Sequence, residues 1–443
     1  MSVSPARAAA FDVLLRVEQQ DAYASELLHS SQYDELSLAD HGLTTELVMG
    51  VLRWRSRLDE EIGRFSAKGI DKLDLEVLTA LRLAAYQLLF LDRIPGRAAV
   101  HESVELVKRA RKGSAAPFAN AVLRKLAAST PAAEATQNER SGSTAELSRR
   151  FAHPLWLVER WVREFGLETV GKICEYDQHA PETAVHLSAS TTEADLKQSG
   201  LDLVPGRLLA SARRVHSGTV AGTSGLADKR IAIQDEASQL AALLVGRGSR
   251  ILDCCAAPGG KTRILAERNP ESRVTAVELH PHRARLLRKL VPAGNVDVIQ
   301  TDMCQFTADA RFDRVLVDAP CSGTGTLARN PEIKWRLQRE DITDLQGRQL
   351  QILRAAMRHV ASGGKLVYAT CSLEREENEA VVKKALSAEP SFRALDCKVD
   401  LERLRAEGEL VWDPESLTRG RYLRTFPGVH PCDGFFAAIL QKN

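Results

Sequence analysis

No stretch of the 443-residue sequence reaches the roughly 18 consecutive apolar residues that a membrane span needs. The first twenty residues break their apolar positions with Asp12, Arg16 and Glu18, so they lack the uninterrupted core of a secretory signal. A cytoplasmic protein with no membrane partner is expected. The eight cysteines have no framework spacing and include no CxxC pair, which argues against a disulfide scaffold and against zinc; no metal is expected. There is no excess of charge either. Sixty Lys and Arg stand against 58 Asp and Glu, a net charge of +2, so any nucleic-acid surface must be a local patch. One candidate is "KRARKGSAAPFANAVLRK", residues 108 to 125, with six Lys or Arg and no acid. A solvated helix face has the same composition. Internal repeats are absent.

What is present, 44% hydrophobic and 27% charged residues, is the composition of a globular chain, of a length that suits about three domains. Residues 1–127 read as helices throughout. Ala10, Val13, Leu14 and Val17 recur at i, i+3, i+4 and i+7, and "TTELVMGVLRWRSRLDEEIGRF" and "DLEVLTALRLAAYQLLFL" keep the same period. Residues 128–148, polar and small, read as a linker. Residues 149–235 open with one amphipathic helix, "RRFAHPLWLVERWVREFG", and alternate strand-like and helix-like stretches, a small α+β middle module. From 236 to 443 short β-branched runs, "RILDCCA", "RVTAVEL", "VDVIQTD", "FDRVLVDAP" and "GKLVYATC", are separated by helix-length stretches. That alternation predicts an α/β Rossmann-like domain with a parallel sheet.

In such a sheet ligands bind at the carboxyl ends of the strands, and these runs end at Asp253, Glu278, Asp302, Asp318 and Cys371. The turn after the first run, "DCCAAPGGKT", finishes like a phosphate-binding P-loop. Such a loop needs a glycine five positions before Gly260, where this chain has Cys255. A GxGxxG dinucleotide fingerprint is also missing. Gly259 and Gly260 allow close backbone approach at a helix N-terminus. Glu278, 25 residues after Asp253, stands where an acid accepts ribose hydroxyls. A nucleoside without a pyrophosphate fits, and S-adenosylmethionine answers that description.

The stretches "DCCAAPGGKT", "VDAPCSGTGTLARNPEIKWR", "GGKLVYATCSLEREENE" and "HPCDGFFAAIL" together resemble the Sun/Nol/Nop family of RNA cytosine-5 methyltransferases. "DHGLTTELVMGVLRWRSRLDEEI" and "FANAVLRKL" resemble the NusB-like RNA-binding domain that precedes the catalytic domain in the branch acting on small-subunit ribosomal RNA. The resemblance implies a multidomain chain: an N-terminal all-α NusB-like bundle, the small middle module and a C-terminal class I methyltransferase domain. It implies S-adenosylmethionine as cofactor, held by Cys255, Ala256, Ala257, Pro258, Gly259, Gly260 and Lys261 with Glu278, Asp302 and Asp318. Small-subunit ribosomal RNA is the implied partner, and the protein is expected to act as a monomer. Glu278 departs from the aspartate more usual at the ribose position, but glutamate can make the same two hydrogen bonds.

Cytosine C5 is a poor nucleophile until a thiolate adds to C6 and loads electron density onto C5, which is covalent catalysis. Two thiols qualify, Cys321 in "APCSG" and Cys371 in "ATCSL". DNA cytosine-5 enzymes use the Pro-Cys thiol, which favours Cys321. The RNA family resembled here implies instead that Cys371 attacks and that Cys321 assists release. Asp318 is the acid expected beside the ring, and Lys261 is expected to reach the pyrimidine or Asp318. A helix N-terminus directly after Cys371 would favour its thiolate. Arg329, Asn330 and Lys334 are expected to hold the RNA backbone, and Cys254 to be a buried small hydrophobe. Two rival readings are a P-loop hydrolase and a NusB-like binding factor with an inactive methyltransferase domain.

Overall fold

The computed structural model describes residues 3–129, 142–188, 191–198, 200–218, 220, 224–227, 229–291 and 294–443. The chain forms two compact units: Met1–Ala180 with Leu327–Arg336, and Pro181–Thr326 with Leu337–Asn443. The stretch read as one module over 149–235 is thus divided between them. Of the expected linker, residues 130–141 lie outside the described residues, while Thr144–Arg150 is helical.

The first unit is helical. Pro5–Gln20, Leu38–Phe65, Leu75–Phe90, Gly96–Arg109 and Ala116–Ala128 are its longer helices. They pack around Val13, Leu14, Leu47, Leu58, Leu81 and Leu123, the positions that the helical period puts on one face of each helix. Gly50 lets two of them approach closely: a Cβ there would lie 2.0 Å from a ring carbon of Tyr86. The amphipathic stretch at 149–166 is not one helix. The chain breaks after Arg150, with Ala152 at φ 47°, and a new helix, Leu155–Phe165, starts behind Pro154. Proline disfavours helical geometry in the residue before it and supplies no N–H to the preceding turn.

The second unit holds two sheets. Ala184–Leu187 (β1), Asp202–Pro205 (β2), Ala212–Ser217 (β3) and Ile231–Ile233 (β4) form an antiparallel sheet in the order β2-β3-β1-β4. The larger sheet contains Arg250–Asp253 (β5), Arg273–Glu278 (β6), Val296–Gln300 (β7), Phe312–Asp318 (β8), Val360–Thr370 (β9), Phe392–Ala394 (β10), Thr418–Arg419 (β11), Tyr422–Thr425 (β12) and Phe435–Lys442 (β13). Its order is β11-β12-β13-β9-β8-β5-β6-β7, with β10 on β13. β7, β6, β5, β8 and β9 run parallel, and β13 runs antiparallel to β9. This is a Rossmann-like sheet with helices packed against it, and its central strands β5, β8 and β9 bury the apolar residues Ile251, Leu252, Val315, Leu316, Val317, Leu366 and Val367, as a sheet covered on both faces requires. The chain direction reverses its sheet position between β5 and β8, the place where such sheets bind ligands. Among the described residues no helix is long and apolar enough to cross a membrane.

Candidate active site

The site is built at the carboxyl ends of β5, β6, β8 and β9. After Asp253 the chain threads between two neighbours: the Cys254 N–H donates to Leu316 O at 2.9 Å and the Ala256 N–H to Val277 O at 3.0 Å. Gly259 then takes φ 117°, a conformation that only glycine adopts freely. A Cβ there would also lie 2.6 Å from Val291 and 2.7 Å from Leu287. The helix Gly260–Arg268 starts from it. Arg283 donates to Ala257 O at 2.9 Å and ties the loop to the next helix.

Glu278 is buried at the end of β6. Its Oε1 accepts from the His280 N–H at 2.9 Å, and among the described residues Oε2 has no partner. Asp302 lies just beyond β7, and its Oδ1 accepts from the Cys304 N–H at 2.8 Å. The Thr301 N–H beside it donates to Glu278 O at 3.1 Å. The Cys255 thiol is pushed far up by burial and by the charges of Asp253, Asp318 and Glu278, so it is a neutral wall of the site. Cys254 points into the core with Leu252, Val315 and Val317, its thiol also raised by burial.

Lys261 turns its ammonium onto Asp318, Nζ to Oδ2 2.7 Å, and over the ring of Phe435 at 5.1 Å. Burial would lower its pKa, but Asp318, with Cys371 and Asp253, outweighs burial and holds it above the ordinary value. The two thiols meet next to this pair: Cys321 Sγ and Cys371 Sγ are 3.4 Å apart. The Gly325 N–H donates to Cys371 O at 2.9 Å, and the Gly434 N–H to Gly325 O at 2.8 Å. Three sequence-distant motifs are so locked by their main chains.

These features coincide with two family matches, one at each end of the chain. Residues 241–441 match the family described as 16S rRNA methyltransferase RsmB/F, and residues 4–128 match the NusB family. The probable ribosomal RNA small subunit methyltransferase B of Bacillus subtilis is 34% identical, covering 100% of both chains. The chain belongs to the RsmB/F family. Ribosomal RNA small subunit methyltransferase B of Pseudomonas putida is 33% identical over 93% of each chain. The solved structure of PH0851 covers 100% of both chains with a TM-score of 0.79 at 23% identity, a likeness of fold.

For this RsmB/F member two expectations from sequence need correction. The helix after Cys371 begins only at Glu379, beyond the one-turn reach of a helix terminus; the positive group acting on Cys371 is the Lys261 ammonium. Lys334 cannot hold an RNA backbone. It is 1% exposed, donating to Arg53 O at 2.9 Å and Ala152 O at 3.0 Å inside the helical unit. Burial there lowers its pKa to about 7 and raises that of Asp177 to about 7. The same segment is anchored by Trp335 Nε1 on Leu52 O at 2.7 Å and by Glu332 accepting from the Ala24 N–H at 2.9 Å. Asn330 is half-buried, near Ser25.

The basic run also differs from its sequence appearance. Lys108 pairs with Glu105 at 2.7 Å and Lys112 with Asp74 at 3.1 Å. Sequence reasoning passed over Glu377, which is fully buried beneath both thiol loops, and noted Asp253 only as a strand end without a role; its Oδ2 accepts from Thr262 Oγ1 at 2.8 Å. The signal for Asp253 was its place at a strand end. Glu377 had none, being one of four acids in "EREENE", which reads like a solvated helix start.

Proposed function

We propose that this chain methylates C5 of a cytosine in small-subunit ribosomal RNA, using S-adenosylmethionine, through a covalent bond between Cys371 and C6. The observation that carries this reading is the pair of thiols 3.4 Å apart beside the Lys261–Asp318 ion pair. One thiol is needed to add to the ring and a second group to help take the product off, and a structural cysteine pair has no need of an adjacent ion pair. The family and the names of its members support RNA of the small subunit as substrate.

The residues present fit the cofactor. Glu278 offers an acceptor oxygen without a partner among the described residues, as a ribose hydroxyl requires. Gln234 Oε1 is buried without a partner among the described residues, and a Cβ on Gly260 would stand 2.9 Å from it. Asp302 and the Cys255–Lys261 loop complete the cradle. Bound there, S-adenosylmethionine supplies an electrophilic methyl group on sulfur.

The chain's own residues do the rest. Cys371 Sγ forms a bond to C6, and the electron pair displaced from the C5–C6 double bond makes C5 nucleophilic. Asp318, with Lys261 beside it, is the group that delivers a proton to N3, which takes up the charge that the addition loads onto the ring. After methyl transfer the C5 proton passes to water or a basic group at the site, the C–H electron pair re-forms the C5–C6 double bond, and Cys371 leaves as a thiolate with the C6–S pair. Cys321, against Cys371, assists that release. The protein acts as a monomer in the cytoplasm, and a cytosine outside a stem is the easier target because no pair must be opened.

The test incubates the full-length protein with methyl-labelled S-adenosylmethionine and a small-subunit ribosomal RNA fragment, then digests the RNA to nucleosides. Label in 5-methylcytidine, absent with Cys371→Ala, is the expected result. Label on another base, or label undiminished in Cys371→Ala, would overturn the reading.

A further inference from the structure

Glu377 lies in the turn after Cys371 and is 0% exposed. Its Oε1 accepts from the Ser322 N–H and from Gln349 Nε2, each at 2.8 Å. Its Oε2 accepts from the hydroxyls of Ser322 and Ser372, which are 3.0 Å from each other. Ser322 follows Cys321 in the chain and Ser372 follows Cys371. One side chain thus holds the residue next to each sulfur. Further bonds brace the same point: Tyr368 Oη donates to Glu377 O at 2.5 Å, and Thr324 Oγ1 accepts from the Leu373 N–H at 2.9 Å. No Lys or Arg forms an ion pair with Glu377 among the described residues, so its charge acts on its surroundings at low dielectric.

We propose that Glu377 is a positioning residue for the thiol pair: it sets the two sulfurs in contact, and its charge keeps the shared proton on Cys321, leaving Cys371 as the sulfur that attacks. The inference rests on the reading of the pair as nucleophile and release group. The groups facing Cys321 agree with it. Its thiol is held far above the ordinary range by the hydrogen bond with Cys371, by burial and by the charges of Cys371 and Glu377, against the opposing Gly323 N–H. Tyr368, also facing it, is itself raised by burial and stays neutral. The compensating cation, Lys261, acts on Cys371.

The test needs no RNA. Full-length protein is treated with iodoacetamide between pH 6 and 10, and modification of Cys321 and Cys371 is followed separately by peptide mass spectrometry; only the thiolate reacts. In the wild type Cys371 is expected to react at least roughly tenfold faster than Cys321 at pH 8. Glu377→Gln keeps an acceptor for the Ser322 and Gln349 donors, and the serine hydroxyls can turn to accept from its amide. It is expected to raise the Cys321 rate at pH 8 roughly tenfold, the effect of one pKa unit. Ser372→Ala, which removes a hydroxyl but no charge, is expected to leave the Cys321 rate within about twofold.

An unchanged Cys321 rate in Glu377→Gln would overturn the proposal, and so would an equal rise in Ser372→Ala. Faster modification of Cys321 than of Cys371 in the wild type would overturn it even where the variants do not fold. Because no substrate is used, these outcomes are independent of whether 5-methylcytidine is found in the RNA assay.

Discussion

Replacing Gly325 by Ala adds one methyl group where the loops of Cys321, Cys371 and Gly434 meet. The new Cβ would lie 2.2 Å from Gly434 O and 2.9 Å from Cys371 O. Both are main-chain atoms, so neither can swing aside. Carbon–oxygen contacts settle at about 3.3 Å or beyond, and the segments must therefore part by about 1 Å. That movement breaks or stretches the hydrogen bonds Gly325 N–H to Cys371 O and Gly434 N–H to Gly325 O, worth about 0.5–1.5 kcal/mol each. Overpacking adds about 1–3 kcal/mol, giving a loss of about 2–6 kcal/mol in all. The sulfurs, 3.4 Å apart in the native protein, separate with their loops. Urea unfolding should show the lower stability, and methylation should fall about a hundredfold or more, as misplacement of reacting groups by an ångström does. Cofactor affinity should change little, because Glu278 and Gly259 belong to other strand ends. Wild-type stability and wild-type methylation in Gly325→Ala would refute the argument that these contacts hold the thiols together.

Glu278→Ala removes the proposed ribose acceptor at the end of β6. Hydrogen bonds to charged groups are worth about 1.5–3 kcal/mol, so calorimetry should show affinity for S-adenosylmethionine lowered by roughly tenfold or more. Burial pushes the Asp253 carboxyl up to about 7, against the Thr262 hydroxyl bond. The folded chain then keeps a proton that the unfolded chain releases above about pH 4, so stability falls as pH rises from about 4 to about 7. Asp253→Asn removes that slope and should gain up to about 4 kcal/mol relative to wild type between pH 5 and pH 8; urea unfolding with the same pH dependence as wild type would contradict it. In the basic run, Arg109 and Arg111 have no ion pair among the described residues, while Lys108 and Lys112 do. Replacing the two arginines by Ala should lower the salt slope of RNA binding by about 1–2, and replacing the two lysines should add little.

Much of the site was legible because strand ends announce themselves. The β-branched runs that end at Asp253, Glu278, Asp318 and Cys371 are the strands observed, and the parallel sheet brings those ends together. Long helices with a steady apolar period were equally readable. The break before Leu155 could have been read from Pro154, whose ring restricts His153. Lys334 could not be placed, since a lysine between Ile333 and Trp335 looks like a charge reaching for solvent; its burial comes from packing against Arg53 and Ala152, far away in sequence. Glu377 was hidden for a similar reason. Its partners Ser322 and Gln349 come from separate segments, and no local pattern separates it from the neighbouring acids Glu374, Glu376 and Glu379.

The account stands most directly on which sulfur attacks. Cys321→Ala and Cys371→Ala, each incubated with a labelled small-subunit ribosomal RNA fragment and S-adenosylmethionine, are run on one denaturing gel. Cys321→Ala should add to the ring and transfer the methyl group but release slowly, leaving a covalent protein–RNA band. Cys371→Ala should form none. A covalent band from Cys371→Ala, with none from Cys321→Ala, would contradict the assignment of Cys371 as the nucleophile.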